Sequence, residues 1–170
     1  MKKIILILPL FLFAASCSQQ STSTQGTSSV TNNKTTSETR TYTNSKYNFQ
    51  MQVPSDSKTV EAADSNSVAF EKDDVGIMAI VVTDTSKNLT DFTADYVNKL
   101  SGYTIQKADM TIAGQPALRL AYNISTKPNT VYSQKYYLFV ANGHGYEINI
   151  SPSILIDQAD SLVKSFTFKN

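Results

Sequence analysis

Between Thr104 and Ser151 apolar and polar residues alternate, and turn formers cut the run into segments. A chain patterned with this period forms hairpins. Strand residues run from Thr104 to Ile112, and Ala113-Gly114-Gln115-Pro116 makes the first turn. Leu118, Leu120, Tyr122 and Ile124 alternate down the next segment, and Lys127-Pro128-Asn129 turns it back. Val131 to Ala141 carries large residues on both faces. Tyr132, Tyr136, Leu138 and Val140 fall on one, and Val131, Tyr137 and Phe139 on the other. Asn142-Gly143 is a strong two-residue hairpin signal, and Tyr146, Ile148 and Ile150 alternate beyond it.

Upstream, Tyr47, Phe49, Met51 and Val53 alternate with polar residues until Pro54. Val68 and Phe70 suggest a short strand. Val75 to Val82 (VGIMAIVV) is apolar on both faces, as in a strand covered from both sides. Two segments have helical period instead. Asn88 can cap a helix whose apolar stripe is Leu89, Phe92, Tyr96 and Leu100, with acidic Asp91 near its positive end and Gly102 as its stop. Ser151 and Pro152 would open the second, with Ile150 stapled to Leu155 and a stripe of Ala159, Leu162, Val163 and Phe166. Antiparallel strands apolar on both faces, together with two helices, define an α+β chain whose helices pack on a central sheet.

The first forty residues bear on location rather than fold. Lys2 and Lys3 precede an apolar run, Ile4 to Phe13 (IILILPLFLF), and small residues lead to Cys17. A bilayer-spanning helix needs about 20 apolar residues, and this run is shorter and contains Pro9. It has the format of a signal peptide over residues 1–16. Ala14-Ala15-Ser16-Cys17 resembles the bacterial lipobox. That resemblance implies a diacylglyceryl thioether on Cys17, cleavage before it and acylation of the new amine. Cys17 is the single cysteine, so no disulfide can form within the chain. From Ser18 to Asn44 the residues are almost all polar. Such a segment buries too little to offset its ordering entropy, and the expected organisation is a tether over 17–44 and a single domain over 45–170. Ser18 stands where an inner-membrane retention signal would have Asp. The expected site is therefore the outer membrane of a two-membrane bacterium, or otherwise the outer face of the plasma membrane.

Without Lys2 and Lys3 the chain has 13 basic and 14 acidic residues. No basic block is present to neutralise phosphates, so nucleic acid is not an expected partner.

The layout of the domain resembles the PsbP-like superfamily. Its elements here are the opening Tyr-X-Phe-X-Met-X-Val-Pro strand (Tyr47 to Pro54) and a helix following a doubly apolar strand. Ala113-Gly114-Gln115-Pro116-Ala117 then leads into Leu-Arg-Leu-Ala-Tyr, long paired strands follow, and a last helix closes on Ser165-Phe166. The resemblance implies an α/β/α sandwich with a central antiparallel sheet flanked by helices. It also implies docking and assembly rather than catalysis, since the family includes extrinsic photosystem II subunits, a nuclear Ran-binding protein and bacterial lipoproteins of unassigned role. The absence of tryptophan departs from the family's pattern, and nothing in the sequence points to a photosynthetic host.

Catalytic chemistry is thin. Nucleophilic catalysis needs a nucleophile beside a base, but Cys17 is spent on lipid and His144, the single histidine, lies in the Asn142-Gly143-His144-Gly145 turn. A turn residue facing water accounts for it better than a base or a ligand. Asp73 and Asp74 adjoin Gly76, and a weak calcium contact there competes with the conformational preference of turns for Asp. Asp91 and Asp95 share a helix face, which reads as solvated. No phosphate loop is present. No catalytic residue, metal site or cofactor is expected, and the chain is read as not an enzyme. Tyr132, Tyr136, Tyr137 and Tyr146 sit in one hairpin, either as cross-strand packing or as a contact platform. Tyr136 and Tyr137 face opposite sides and are the candidate partner contacts. The expected protein is a monomeric, membrane-anchored, extracytoplasmic module that binds or assembles with an envelope protein. The alternative is an envelope hydrolase or small-ligand or metal receptor with a carboxylate-lined cleft.

Overall fold

The computed structural model describes residues 38–127, 130–151 and 156–169. The expected signal peptide, Cys17 and most of the expected tether lie outside these residues. Among the described residues no helix is long and apolar enough to cross a membrane.

Ten strands and two helices are described. They run in the order β1 Thr39–Asn44, β2 Phe49–Pro54, β3 Lys58–Glu61, β4 Ser67–Lys72, β5 Val75–Asp84, α1 Leu89–Lys99, β6 Gln106–Ile112, β7 Gln115–Lys127, β8 Thr130–Ala141, β9 His144–Ile150, α2 Ala159–Lys164 and β10 Thr167–Phe168. All pairings are antiparallel. They build a seven-stranded sheet of order β3-β4-β5-β9-β8-β7-β6 and a three-stranded sheet of order β1-β2-β10. Positive φ at both central residues closes three hairpins, at Asp73-Asp74, Ala113-Gly114 and Asn142-Gly143. That conformation matches the right-handed twist of the flanking strands.

The double-faced strands do what their pattern requires. On one face of the large sheet, Val68, Phe70, Ile80, Tyr137, Phe139, Tyr146 and Ile148 pack against Phe49, Met51 and Val53 of the small sheet and against Leu162, Val163 and Phe166. On the other face, Leu118, Leu120, Tyr136, Leu138 and Val140 meet Phe92, Tyr96 and Val97 of α1 and Leu100 at its C-cap. The central antiparallel sheet is thus covered on both faces, by α1 on one and by α2 with the small sheet on the other.

Three boundaries differ from the sequence reading. The domain begins by Thr39, not Ser45, because β1 pairs with β2 from Thr39↔Pro54 to Asn44↔Phe49. Tyr42 and Asn44 are buried there, and the Tyr42 hydroxyl donates to Glu61 Oε1 at 2.7 Å. Burial and that carboxylate push the Tyr42 phenol up to about 12. Polar side chains bonded this way satisfy burial without an apolar signature. Ser151 N–H donates to Ile77 O, and residues 156–158, expected within the last helix, form a turn. Described helix begins at Ala159, with Gln158 at the N-cap and no side-chain capping bond, while Pro152 and Leu155 lie outside the described residues. The first strand after α1 begins at Gln106 rather than Thr104.

Asp160 fastens α2 to the sheet. It accepts from Tyr137 OH at 2.5 Å and from Arg119 Nη1 at 2.7 Å, with Lys135 Nζ at 3.6 Å. Burial raises its pKa, but these donors outweigh that and hold the carboxyl below its ordinary value.

Candidate functional site

Among the described residues α1 covers only part of its sheet face, and lengths explain why. An 11-residue helix is about 16 Å long, whereas the 13 residues of β7 and 12 of β8 extend roughly 40 Å. The residues seated under α1 are Leu118, Leu120, Leu138 and Val140. Beyond them, toward the β7–β8 turn, the same face continues as Tyr122 opposite Gln134 and Ile124 opposite Tyr132.

This continuation is a strip of tyrosines. Tyr103, just past the end of α1, tilts onto Tyr122 with ring centroids 5.0 Å apart, and Tyr122 stacks on Tyr136 at 5.9 Å and 15°. Tyr122 is buried beneath the others, and its hydroxyl donates to Gln134 Oε1 at 2.8 Å. Tyr103 and Tyr132 are 44% and 37% exposed, and Tyr136 is half-buried. The edge is amphipathic, with ring faces and hydroxyls side by side.

Glu147 lies in the next part of the same face, on β9. It is half-buried and accepts from Tyr96 OH at 2.8 Å. Burial pushes the Glu147 carboxyl up, and the Tyr96 bond and nearby Lys99 only partly offset this. A carboxyl whose folded pKa exceeds its unfolded value keeps its proton longer when folded. Stability therefore falls as pH rises from about 4.5 through the folded pKa. Glu147→Gln keeps an acceptor for Tyr96 and removes the charge. It is expected to raise the melting midpoint at about pH 8 and leave it unchanged at about pH 4. Equal midpoints for the two proteins across that range would show that Glu147 carries no such cost.

The other candidate residues disperse. Cys17 lies outside the described residues. Tyr137 is 0% exposed and its hydroxyl is taken by Asp160, so it is corrected from a partner contact to a core residue that anchors α2. Tyr146 is fully buried as well, with a hydroxyl that has no hydrogen-bond partner among the described residues, and burial followed by the nearby Tyr47 pushes its phenol up to about 12. His144 begins β9, with Nδ1 2.9 Å from Asp84 Oδ1 and its ring edge-on to Tyr47 at 5.1 Å. Asp73 and Asp74 are exposed in their turn. Asp95 pairs with Lys87, and the Asn88 side chain accepts from the Asp91 amide. Among the described residues no three acidic, His or Cys side chains stand together as a metal site. The small notch lined by Thr43, Asn44, Ser45, Lys46, Glu61 and Ser65 is polar and open.

Sequence reasoning missed Tyr103, Tyr122 and Glu147. Tyr122 had a signal, its alternation with Leu120 and Ile124. Tyr103 had none, being a loop residue that meets β7 only in the folded chain.

No protein-family model matches the sequence, and no curated protein matches it. Solved structures do. Cyanobacterial PsbP (CyanoP) from Synechocystis sp. PCC 6803 superposes with a TM-score of 0.59 at 13% identity, over 86% of this chain and 98% of that one. The fold is PsbP-like. A Bacteroides thetaiotaomicron protein matches at TM-score 0.51 and 13% identity, over 72% of this chain and 46% of its own length. LpqN of Mycobacterium tuberculosis, described as involved in cell envelope biogenesis, is similar at TM-score 0.45 and 13% identity, over 78% of this chain and 91% of LpqN. At such identities the PsbP-like likeness speaks to fold alone.

Proposed function

We propose that this chain is a non-enzymatic docking module, tethered outside a bacterial membrane through a lipid on Cys17, that binds an envelope partner through Tyr103, Tyr132 and Tyr136. The observation that carries this reading is the tyrosine strip that lies, among the described residues, beyond the end of α1, where Tyr103 and Tyr132 are 44% and 37% exposed. Tyrosine is enriched at interfaces because it offers apolar area and a hydrogen bond at low entropy cost. The basic, apolar and small-residue blocks before Cys17 support the anchor. The membrane is the outer one where the host has two, and otherwise the plasma membrane. The rival reading, an envelope hydrolase or receptor, would draw on Glu147, whose carboxyl sits against Tyr96 of α1 rather than in an open acidic cleft.

In a deletion strain, Cys17→Ser is expected to abolish palmitate labelling. A Tyr103→Ala/Tyr132→Ala double variant is expected to remain folded yet lose its cross-linked envelope partner, since truncated interface anchors cost 2 kcal/mol or more. His144→Ala, and Asp73→Asn with Asp74→Asn, are expected to complement fully, because loss of a general acid or base lowers rates by 10²- to 10⁴-fold. Failure of a well-folded His144→Ala protein to complement would overturn the docking reading.

A further inference from the structure

The rings that the strip offers are few. A tyrosine side chain has roughly 200 Å² to bury, so Tyr103 and Tyr132, 44% and 37% exposed, present on the order of 80 Å² each. With half-buried Tyr136 the aromatic area comes to roughly 200 Å², against the ~800 Å² per partner of a stable protein interface.

The strand positions that form the strip are also uncharged. Its strand positions are Leu120, Tyr122 and Ile124 on β7, Tyr132, Gln134 and Tyr136 on β8, and Asn149 on β9, which pairs with Tyr136. None is charged, and the charges that border the strip are Lys107 on β6, paired with Leu120, and Glu147 on β9, which Tyr96 covers. Charge patterns that steer protein partners, or cations that neutralise phosphates, are missing from these positions. Amides stand in their place. Gln134 Oε1 accepts from Tyr122, and among the described residues nothing takes its Nε2.

From this juxtaposition we infer that the strip binds a neutral oligosaccharide, an inference that rests on the docking reading above. A pyranose has one face of C–H bonds that lies flat on the negative face of an aromatic ring. Its ring of hydroxyls needs groups that both donate and accept, which tyrosine hydroxyls and a carboxamide provide. Tyr132 and Tyr103 supply the stacking faces and Gln134 Nε2 donates to a sugar hydroxyl. Tyr132 and Tyr136 are four residues apart on one strand, about 13 Å, so the strip accommodates several sugar units in line.

The test is calorimetric titration of the full chain with chitotetraose, cellotetraose and maltotetraose. At least one is expected to bind saturably. Tyr132→Ala and Tyr103→Ala should each weaken that binding about tenfold or more, Gln134→Leu should weaken it less, and Val75→Ala, exposed elsewhere, should leave it unchanged. No binding by any of the three sugars, or binding untouched by both tyrosine variants, overturns the inference. If the sugars fail while the Tyr103→Ala/Tyr132→Ala protein still loses its cross-linked partner, the occupant is a protein and the docking reading stands. If neither measurement responds to the tyrosines, both readings fall.

Discussion

Phe166→Ala is expected to cost about 3–5 kcal/mol of unfolding free energy, the range for deleting a buried aromatic ring from a packed core. Phe166 is 1% exposed and follows α2 at the seam between the two sheets. Its ring stacks on Phe49 of β2 at 4.7 Å and meets Phe139 of β8 edge-on at 5.2 Å. Tyr146 and Phe168 complete the cluster at 5.7 and 5.4 Å. Four elements share this one ring, so none can relax into the space without parting from another. That is why the cavity contribution should be near the top of its range. Phe166→Leu fills most of the volume and should cost well under half as much. The comparison is by denaturant unfolding at constant slope. A loss below about 1 kcal/mol for the alanine variant would mean that the small sheet and the large one do not share a core.

The elements legible in the sequence are those whose burial is apolar. Phe49, Met51 and Val53 alternate on β2, and Leu118 and Leu120 on β7, so period two alone identifies them. Asn142-Gly143 demands positive φ at both residues, and both have it. β1 was not legible because its inward residues are Tyr42 and Asn44, held by a hydroxyl bonded to Glu61 and an amide bonded to Ser65 O. In sequence those residues continue a polar tract. β3 and β10 are four and two residues long, too short for any period to register. Ser151-Pro152 resembles a helix start, and the residues that would follow it, 152–155, lie outside the described ones.

The candidate site was legible in half. Alternation places Tyr136 and Tyr137 on opposite faces, but it cannot say which face is filled. That depends on Asp160 reaching Tyr137 from α2 and on α1 ending before it covers the strip. Both are tertiary facts. Glu147 shows the same limit. It reads as the outward residue of an alternating strand, and it is half-buried because Tyr96 closes over it.

Gly145→Ala is the most informative probe of how α1 is held. Gly145 is buried on β9, paired with Val140 and Thr83, and a Cβ there would lie 2.4 Å from Phe92 Cε2 and 2.6 Å from Cζ. The glycine is needed for close approach, while its neighbour Gly143 serves the turn with φ of 77°. Phe92 shares a buried cluster with Leu120 and Leu138, so its ring cannot yield without disturbing them. Overpacking of this kind costs about 1–3 kcal/mol. Lifting α1 would also hydrate Glu147, whose pKa should then drop toward the ordinary carboxylate value, because burial is the largest cause of its rise. Phe92→Leu removes the clashing ring atoms. In a double-mutant cycle the Gly145→Ala and Phe92→Leu costs should therefore sum to at least about 1 kcal/mol more than the cost of the pair. Strictly additive costs, with the Glu147 titration unmoved, would place α1 somewhere other than on Gly145.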